Sequence, residues 1–174
     1  MKKSIKFLAI TAVMFSFAIS TFGQVSATAT AAATIITPIA INKTVDMNFG
    51  NVAASGALGT VVLAPGGGRT PAGGVTLPAT AGTVAAASFT VTGQANFTYS
   101  ITLPVGASTI SNGVQTMTVN AFTSNPTPTG LLTLGTETLT VGATLNVAAN
   151  QAAGTYTSGA AGGSGPFTVT VNYN

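Results

Sequence analysis

The sequence, 174 residues long, contains no cysteine, no histidine and no tryptophan. Without cysteine there is no disulfide, no thiolate nucleophile and no lipid-modified N-terminal cysteine. Because histidine is missing as well, the usual Ser-His and Cys-His catalytic pairs and the usual zinc ligand sets are excluded. We therefore expect a protein that is not an enzyme and that has no catalytic, cofactor-binding or metal-binding residues.

Acidic side chains are also scarce, since Asp46 and Glu137 are the only two in the sequence. They would form a glycosidase pair only if folding brought them within about 5 to 10 Å of each other. The favoured interpretation is that each is a solvated or turn-positioned charge. The glycine run at residues 66–69 lacks the Lys and the following Ser or Thr of a phosphate-binding P-loop, so it predicts a hairpin loop.

Basic residues are concentrated at the start of the chain, ahead of a mostly apolar stretch at residues 7–19: Lys2, Lys3 and Lys6. This order, followed by small residues, predicts a signal peptide over residues 1–23 that is cleaved before Gln24; cleavage after Ala27 is the alternative. The apolar stretch of about 13 residues is shorter than the roughly 20 needed to span a bilayer. We expect an exported protein, outside the cell or on its outer surface, with the periplasm as its route and no membrane span after cleavage.

Cleavage would leave a chain without net charge, with Lys43 and Arg69 against Asp46 and Glu137. A nucleic-acid-binding protein needs a basic patch to neutralise phosphates, and a protein that binds anionic membranes needs a polybasic run. The remaining chain has neither, so we expect no nucleic acid among its partners.

Apolar residues make up 46% of the sequence, and many recur with a period of two, which is typical of a strand with one buried face. The clearest alternation lies in residues 97–103 and 167–173. It predicts core positions at Phe97, Tyr99, Ile101, Leu103, Phe167, Val169 and Val171.

Glycine-rich and proline-rich segments separate these runs and mark turns. Many short strands at such spacing predict a single all-β, immunoglobulin-like sandwich over residues 38–174, with no helix needed. Residues 24–37 would be an N-terminal extension.

Several segments together resemble a bacterial domain of unknown function, family 4402. They are IAINKTVDMNFGNV (residues 39–52), FTVTG (89–93), YSITL (99–103), MTVN (117–120), NQAAGTY (150–156) and FTVTVNY (167–173). More distantly, the Phe-Gly-Asn element, the Ala-Gly-Thr-Tyr turn and the penultimate Tyr are similar to the spore coat protein U domain and to pilins of archaic chaperone-usher systems.

The distant resemblance implies an incomplete, pilin-like sandwich whose missing strand comes first from a periplasmic chaperone and then from a neighbouring subunit. Residues 24–37 are the possible donor strand, although most of their side chains are small and this chain lacks the disulfide of many pilins. The leading hypothesis is thus a structural subunit of a surface filament, fimbria or extracellular matrix, which self-associates or joins other envelope subunits by strand addition. The alternative is a monomeric secreted module that binds a glycan or another surface through its glycine-rich loops.

Overall fold

The computed structural model describes residues 23–174, so the predicted signal peptide lies outside the described residues except for Gly23. Residues 23–35 contain no strand, and their side chains are exposed. Ile36–Asn174 is a separate compact unit. Within residues 23–174, no helix is long and apolar enough to cross a membrane.

The compact unit consists of strands joined by turns, with one short 3-10 turn at Thr133–Gly135. The strands are β1 Ala40–Val45, β2 Asn48–Phe49, β3 Ala53–Leu63, β4 Arg69–Thr76, β5 Val84–Ala85, β6 Ala87–Thr92, β7 Thr98–Thr102, β8 Ser108–Ser111, β9 Thr116–Asn125, β10 Thr129–Leu131, β11 Thr136–Val147 and β12 Thr170–Tyr173. The predicted all-β fold is confirmed.

Strand β11 organises the larger sheet, which has seven strands among the described residues. The first half of β11 pairs with β6 and the second half with β3, while β9 pairs along its other side. Gly142 lies between the part of β11 that pairs with β6 and the part that pairs with β3. A side chain there would collide with the Leu63 carbonyl and with the backbone of Ala64, so this close approach requires glycine.

Two smaller sheets, β10-β7-β12 and β2-β5, pack against this large sheet. Tyr99 of β7 is fully buried in one cluster with Leu139 and Val141 of β11, and Phe49 of β2 lies in a second cluster with Val61 and Leu145. Because each cluster joins residues from a small sheet and from the large one, the core lies between two layers, as in a sandwich.

The seven predicted core residues differ in burial. Tyr99, Val169 and Val171 are buried, whereas Ile101, Leu103 and Phe167 are only half-buried. The prediction is wrong for Phe97, which is 41% exposed. Phe97 precedes the first residue of β7, so it lies beyond the edge of the core, where its ring packs against Tyr173 with 5.8 Å between centroids.

The last strand is shorter than the alternation of residues 167–173 predicts, because its ladder with β7 ends where Thr170 faces Thr102. In the same register Thr168 would face Pro104, which has no N–H to donate. Residues 167–169 therefore continue the alternating pattern outside any ladder that the structure describes.

Candidate functional site

The two carboxylates lie in different parts of the sandwich. Glu137 is opposite Val91, which is in turn opposite Ile41, so β11 and β1 are two strand spacings, or about 10 Å, apart. Asp46 is five residues beyond Ile41, which adds roughly 15 Å along the strand direction. This separation is too large for a glycosidase pair.

Glu137 instead stabilises the neighbouring strands. Its Oε2 accepts a hydrogen bond from the Tyr99 hydroxyl at 2.9 Å and another from the backbone N–H of Leu131 at 2.8 Å. Burial raises the pKa of Tyr99 well above its ordinary value, and the hydrogen bond to Glu137 and the charge of that carboxylate raise it further. The phenol therefore stays protonated and acts as a hydrogen-bond donor within the core.

A hairpin loop is predicted at residues 66–69, and the structure confirms it for residues 66–68, which lie between β3 and β4; Arg69 is the first residue of β4. The N–H of Gly67 donates to the carbonyl of Ala64 at 2.8 Å. Arg69 directs its guanidinium toward the sandwich. Its Nη1 donates to the carbonyls of Phe49 at 2.6 Å and Asn51 at 2.9 Å. The arginine therefore caps the end of β2.

Among residues 23–174, the two best-formed concave surfaces offer little for a small ligand. Two shallow depressions share Leu58, Asn146 and Val147, and the larger has a volume of about 340 Å³. Neither is lined by a charged side chain. Among residues 23–174, no group of three or more acidic side chains that would hold a metal occurs.

The edges of the sheets are more informative, and the β8 edge is covered. Thr157, in the loop that follows β11, exchanges two backbone hydrogen bonds with Ser111, at 3.0 and 2.9 Å. Farther along β8, Ser164 donates its N–H to the carbonyl of Thr109 and accepts the N–H of Thr109 on its hydroxyl. The loop thus satisfies backbone groups that another strand would otherwise bind.

The β10 and β4 edges are protected by their residues. On β10, the N–H of Leu131 is bonded to the Glu137 carboxylate, which also places a charge at that edge. On β4, Pro71 has no N–H, and Gly73 has a positive φ of 67°, at an irregular part of the pairing with β3. Charge, proline and irregular backbone are common protections against unwanted strand pairing.

The β1 and β12 edges contain no proline, and β12 has neither a charge nor a bulge, whereas β1 has an irregularity between Lys43 and Val45. β1 is the first strand of the large sheet, and β12 is the last strand of the three-stranded sheet. Lys43 is the single charged residue in the two strands, and its Nζ is paired with Asp46 at 2.6 Å. We call β1, β12 and residues 167–169 the open edges.

Residues 167–169 differ from the rest of the open edges, because their apolar side chains are buried or half-buried while their backbone belongs to no β-ladder. Val169 is buried and Phe167 is half-buried, with its ring 5.0 Å from that of Phe122. An extended backbone that is anchored in the core and outside any ladder is ready to pair with an added strand.

Residues 23–35, taken alone, have the alternating sequence pattern of a β-strand, although they form no strand in the structure. They carry no charge, and the two largest apolar side chains, Val25 and Ile35, are 95% and 93% exposed. Residues 25, 27, 29, 31, 33 and 35 are all apolar, whereas three of the intervening residues are Thr and one is Ser. In an extended conformation this segment would have one apolar and one mainly polar face.

These features define an all-β sandwich in which β1 and β12 are edge strands, with no clustered catalytic groups among the described residues. The chain belongs to the domain of unknown function family DUF4402, whose sequence model matches residues 39–173. The resemblance to that family is confirmed, whereas the more distant one, to spore coat protein U and pilins, stays a prediction. No curated protein and no solved structure matches the chain significantly.

Sequence patterns did not reveal the open edges, because an edge is defined by which strands pair. Pro104 was the available local signal, since its missing N–H ends the ladder of β7 with β12.

Proposed function

We propose that this protein is an exported structural subunit of a surface filament, fimbria or extracellular matrix, and that it assembles by strand addition. Residues 24–36 of a second copy would be the added strand, and the open edges would receive it. The observation that carries this proposal is the stretch at residues 167–169, which is anchored in the core by Val169 yet outside any ladder. During export, a periplasmic chaperone would cover the same edges.

The proposal assigns no catalysis to the protein. The two carboxylates are far apart, the Tyr99 phenol is buried and hydrogen-bonded to Glu137, and the Arg69 guanidinium is bonded to backbone carbonyls. The Tyr99, Glu137 and Arg69 side chains thus form hydrogen bonds that support the fold.

The energetics require both a ladder and an apolar contact. Burial of Val25 and Ile35, which are now exposed, would contribute about 1.5 to 3 kcal/mol for each side chain. Each new backbone hydrogen bond would add about 0.5 to 1.5 kcal/mol, against an association cost of about 4 to 15 kcal/mol. Because burial of the two side chains, about 3 to 6 kcal/mol together, offsets only the lower part of that range, stable association needs several ladder bonds as well.

A matched pair of substitutions tests this assembly in the chain that begins at Gln24. Ala31→Asp places a carboxylate on the apolar face of the segment, and Thr30→Asp places the same charge on the polar face. Both residues are exposed and outside every strand, so neither change affects the fold of the compact unit. We expect Ala31→Asp to weaken self-association by about a hundredfold or more, because a buried unpaired charge costs several kcal/mol, and Thr30→Asp to change it only slightly.

Analytical ultracentrifugation over a range of concentrations gives the result. If the unsubstituted chain stays monomeric at high concentration, or if both variants associate as strongly as it does, strand addition through this segment is wrong. A monomeric secreted binding module then becomes the better account.

A further inference from the structure

The hydroxyl of Tyr173 connects the two open edges. It donates a hydrogen bond to the carbonyl of Thr37 at 2.7 Å and accepts one from the backbone N–H of Gln94 at 2.6 Å. The N–H of Thr37 in turn donates to Oε1 of Gln94 at 3.2 Å. Both backbone groups of Thr37 are therefore held, three residues before β1 begins.

The position of this hydroxyl is determined by its surroundings. A side chain at position 93 would collide with the Tyr173 hydroxyl, so Gly93 provides the space for it. On the other side, the ring of Phe97 lies at 68° to that of Tyr173, in an edge-to-face contact. The exposed Phe97 therefore has a role outside the core, because it holds the Tyr173 ring in place.

These bonds join the start of β1 to the end of β12. β1 begins just after Thr37, and β12 ends at Tyr173, so the two strands lead away from this point in opposite chain directions. The other end, where Val45 and Phe167 lie, has no corresponding bond among the described residues.

We propose that Tyr173 is a positioning residue for strand addition. Its hydroxyl ties the start of β1 to the end of β12, keeps the open edges at a fixed separation and confines an added strand to residues 39–45 and 167–170. This inference rests on the proposed function, and it adds the residue that sets where the added strand stops.

The test compares two Tyr→Phe substitutions in the chain that begins at Gln24. Tyr173→Phe keeps the ring and removes the two bonds at the open edges. Tyr156→Phe is the control, because the Tyr156 hydroxyl also makes two close bonds, to Gln151 at 2.9 Å and to the carbonyl of Ala152 at 2.8 Å, but in the loop that follows β11.

We expect Tyr173→Phe to weaken self-association about tenfold, the scale of one or two lost hydrogen bonds, and Tyr156→Phe to leave it unchanged. Hydrogen exchange of the assembled protein adds a second readout. In the unsubstituted chain, we expect assembly to protect the backbone amides of residues 39–45 and 167–170 from exchange. In Tyr173→Phe, we expect the protected amides to include residues 36–38, or the protection to be weaker and distributed over several pairing registers.

Gln94→Met is a second variant, which removes the acceptor of the Thr37 N–H and leaves Tyr173 intact; we expect a smaller change in the same direction. If Tyr173→Phe associates as tightly as the unsubstituted chain, with the same protected amides, Tyr173 has no positioning role and the proposed function still stands. If the unsubstituted chain does not associate at all, the proposed function fails and this inference fails with it.

Discussion

Phe167→Ala tests how strongly the stretch before β12 is anchored in the core. The side chain is half-buried, and its ring packs at a tilt of 43° on Phe122 of β9, with 5.0 Å between centroids. Phe122 contributes to both core clusters, so the contact links residues 167–169 to the centre of the sandwich. Truncation removes this aromatic pair and leaves a cavity that opens toward the unprotected edge.

The magnitude follows from the burial of the ring. Emptying a fully buried phenylalanine site costs about 3 to 5 kcal/mol. Because Phe167 is only half-buried, part of that transfer free energy was never gained, and we expect a loss of about 2 to 3 kcal/mol. At about 3 °C per kcal/mol for a domain of this size, the melting temperature should fall by about 6 to 9 °C.

The assay is thermal and urea unfolding of the monomer in the Ala31→Asp background, since association would add its own stabilisation. Thr168→Ala is the matched control, because the neighbouring side chain is exposed and should matter by less than about 0.5 kcal/mol. Equal melting temperatures for Phe167→Ala and the unsubstituted protein would refute the anchoring of this stretch.

Two further predictions concern the interior. Tyr99→Phe should lower the free energy of unfolding by about 1.5 to 3 kcal/mol at neutral pH, because it removes a hydrogen bond to a charged carboxylate. Tyr99→Phe should also reduce the loss of stability at alkaline pH. Because the pKa of Tyr99 is raised in the folded protein, only the unfolded chain loses this proton above about pH 10, and the stability of the unsubstituted protein falls as the pH rises. The same slope of stability against pH for both proteins between about pH 9 and pH 11 would contradict this. Gly142→Ala should cost roughly 2 to 3 kcal/mol because its methyl group meets the Leu63 carbonyl, whereas Gly66→Ala, with open space around it, should be nearly neutral; similar melting temperatures for the two variants would argue against the close approach.

Local alternation was a reliable guide to which face of a strand is buried. Tyr99, Val169 and Val171 were predicted from their spacing alone, and all three are buried. The same pattern failed at Phe97, because alternation indicates a face and contains no information on where the opposing sheet ends. It also overestimated β12, since the register with β7 that brings Pro104 opposite Thr168 is a long-range property.

The candidate site was predictable only in part. The uncharged residues 24–36 are visible in the sequence, as is the lack of histidine and cysteine. That β8, β10 and β4 are protected while β1 and β12 are open depends on bonds such as those of Thr157 with Ser111 and Glu137 with Leu131. No local rule connects these residues, since their pairing depends on how the whole chain folds.

The sequence by itself determined the strand faces, the near absence of charge and the limits on catalytic chemistry, because these follow from residue type and a spacing of two. The tertiary structure decided the order of the strands, the edges that stay open and the bond from Tyr173 to Thr37, which spans 136 residues of chain. Backbone hydrogen-bonding groups are the same in every residue except proline, so the partner each one finds is set by packing of the complete fold.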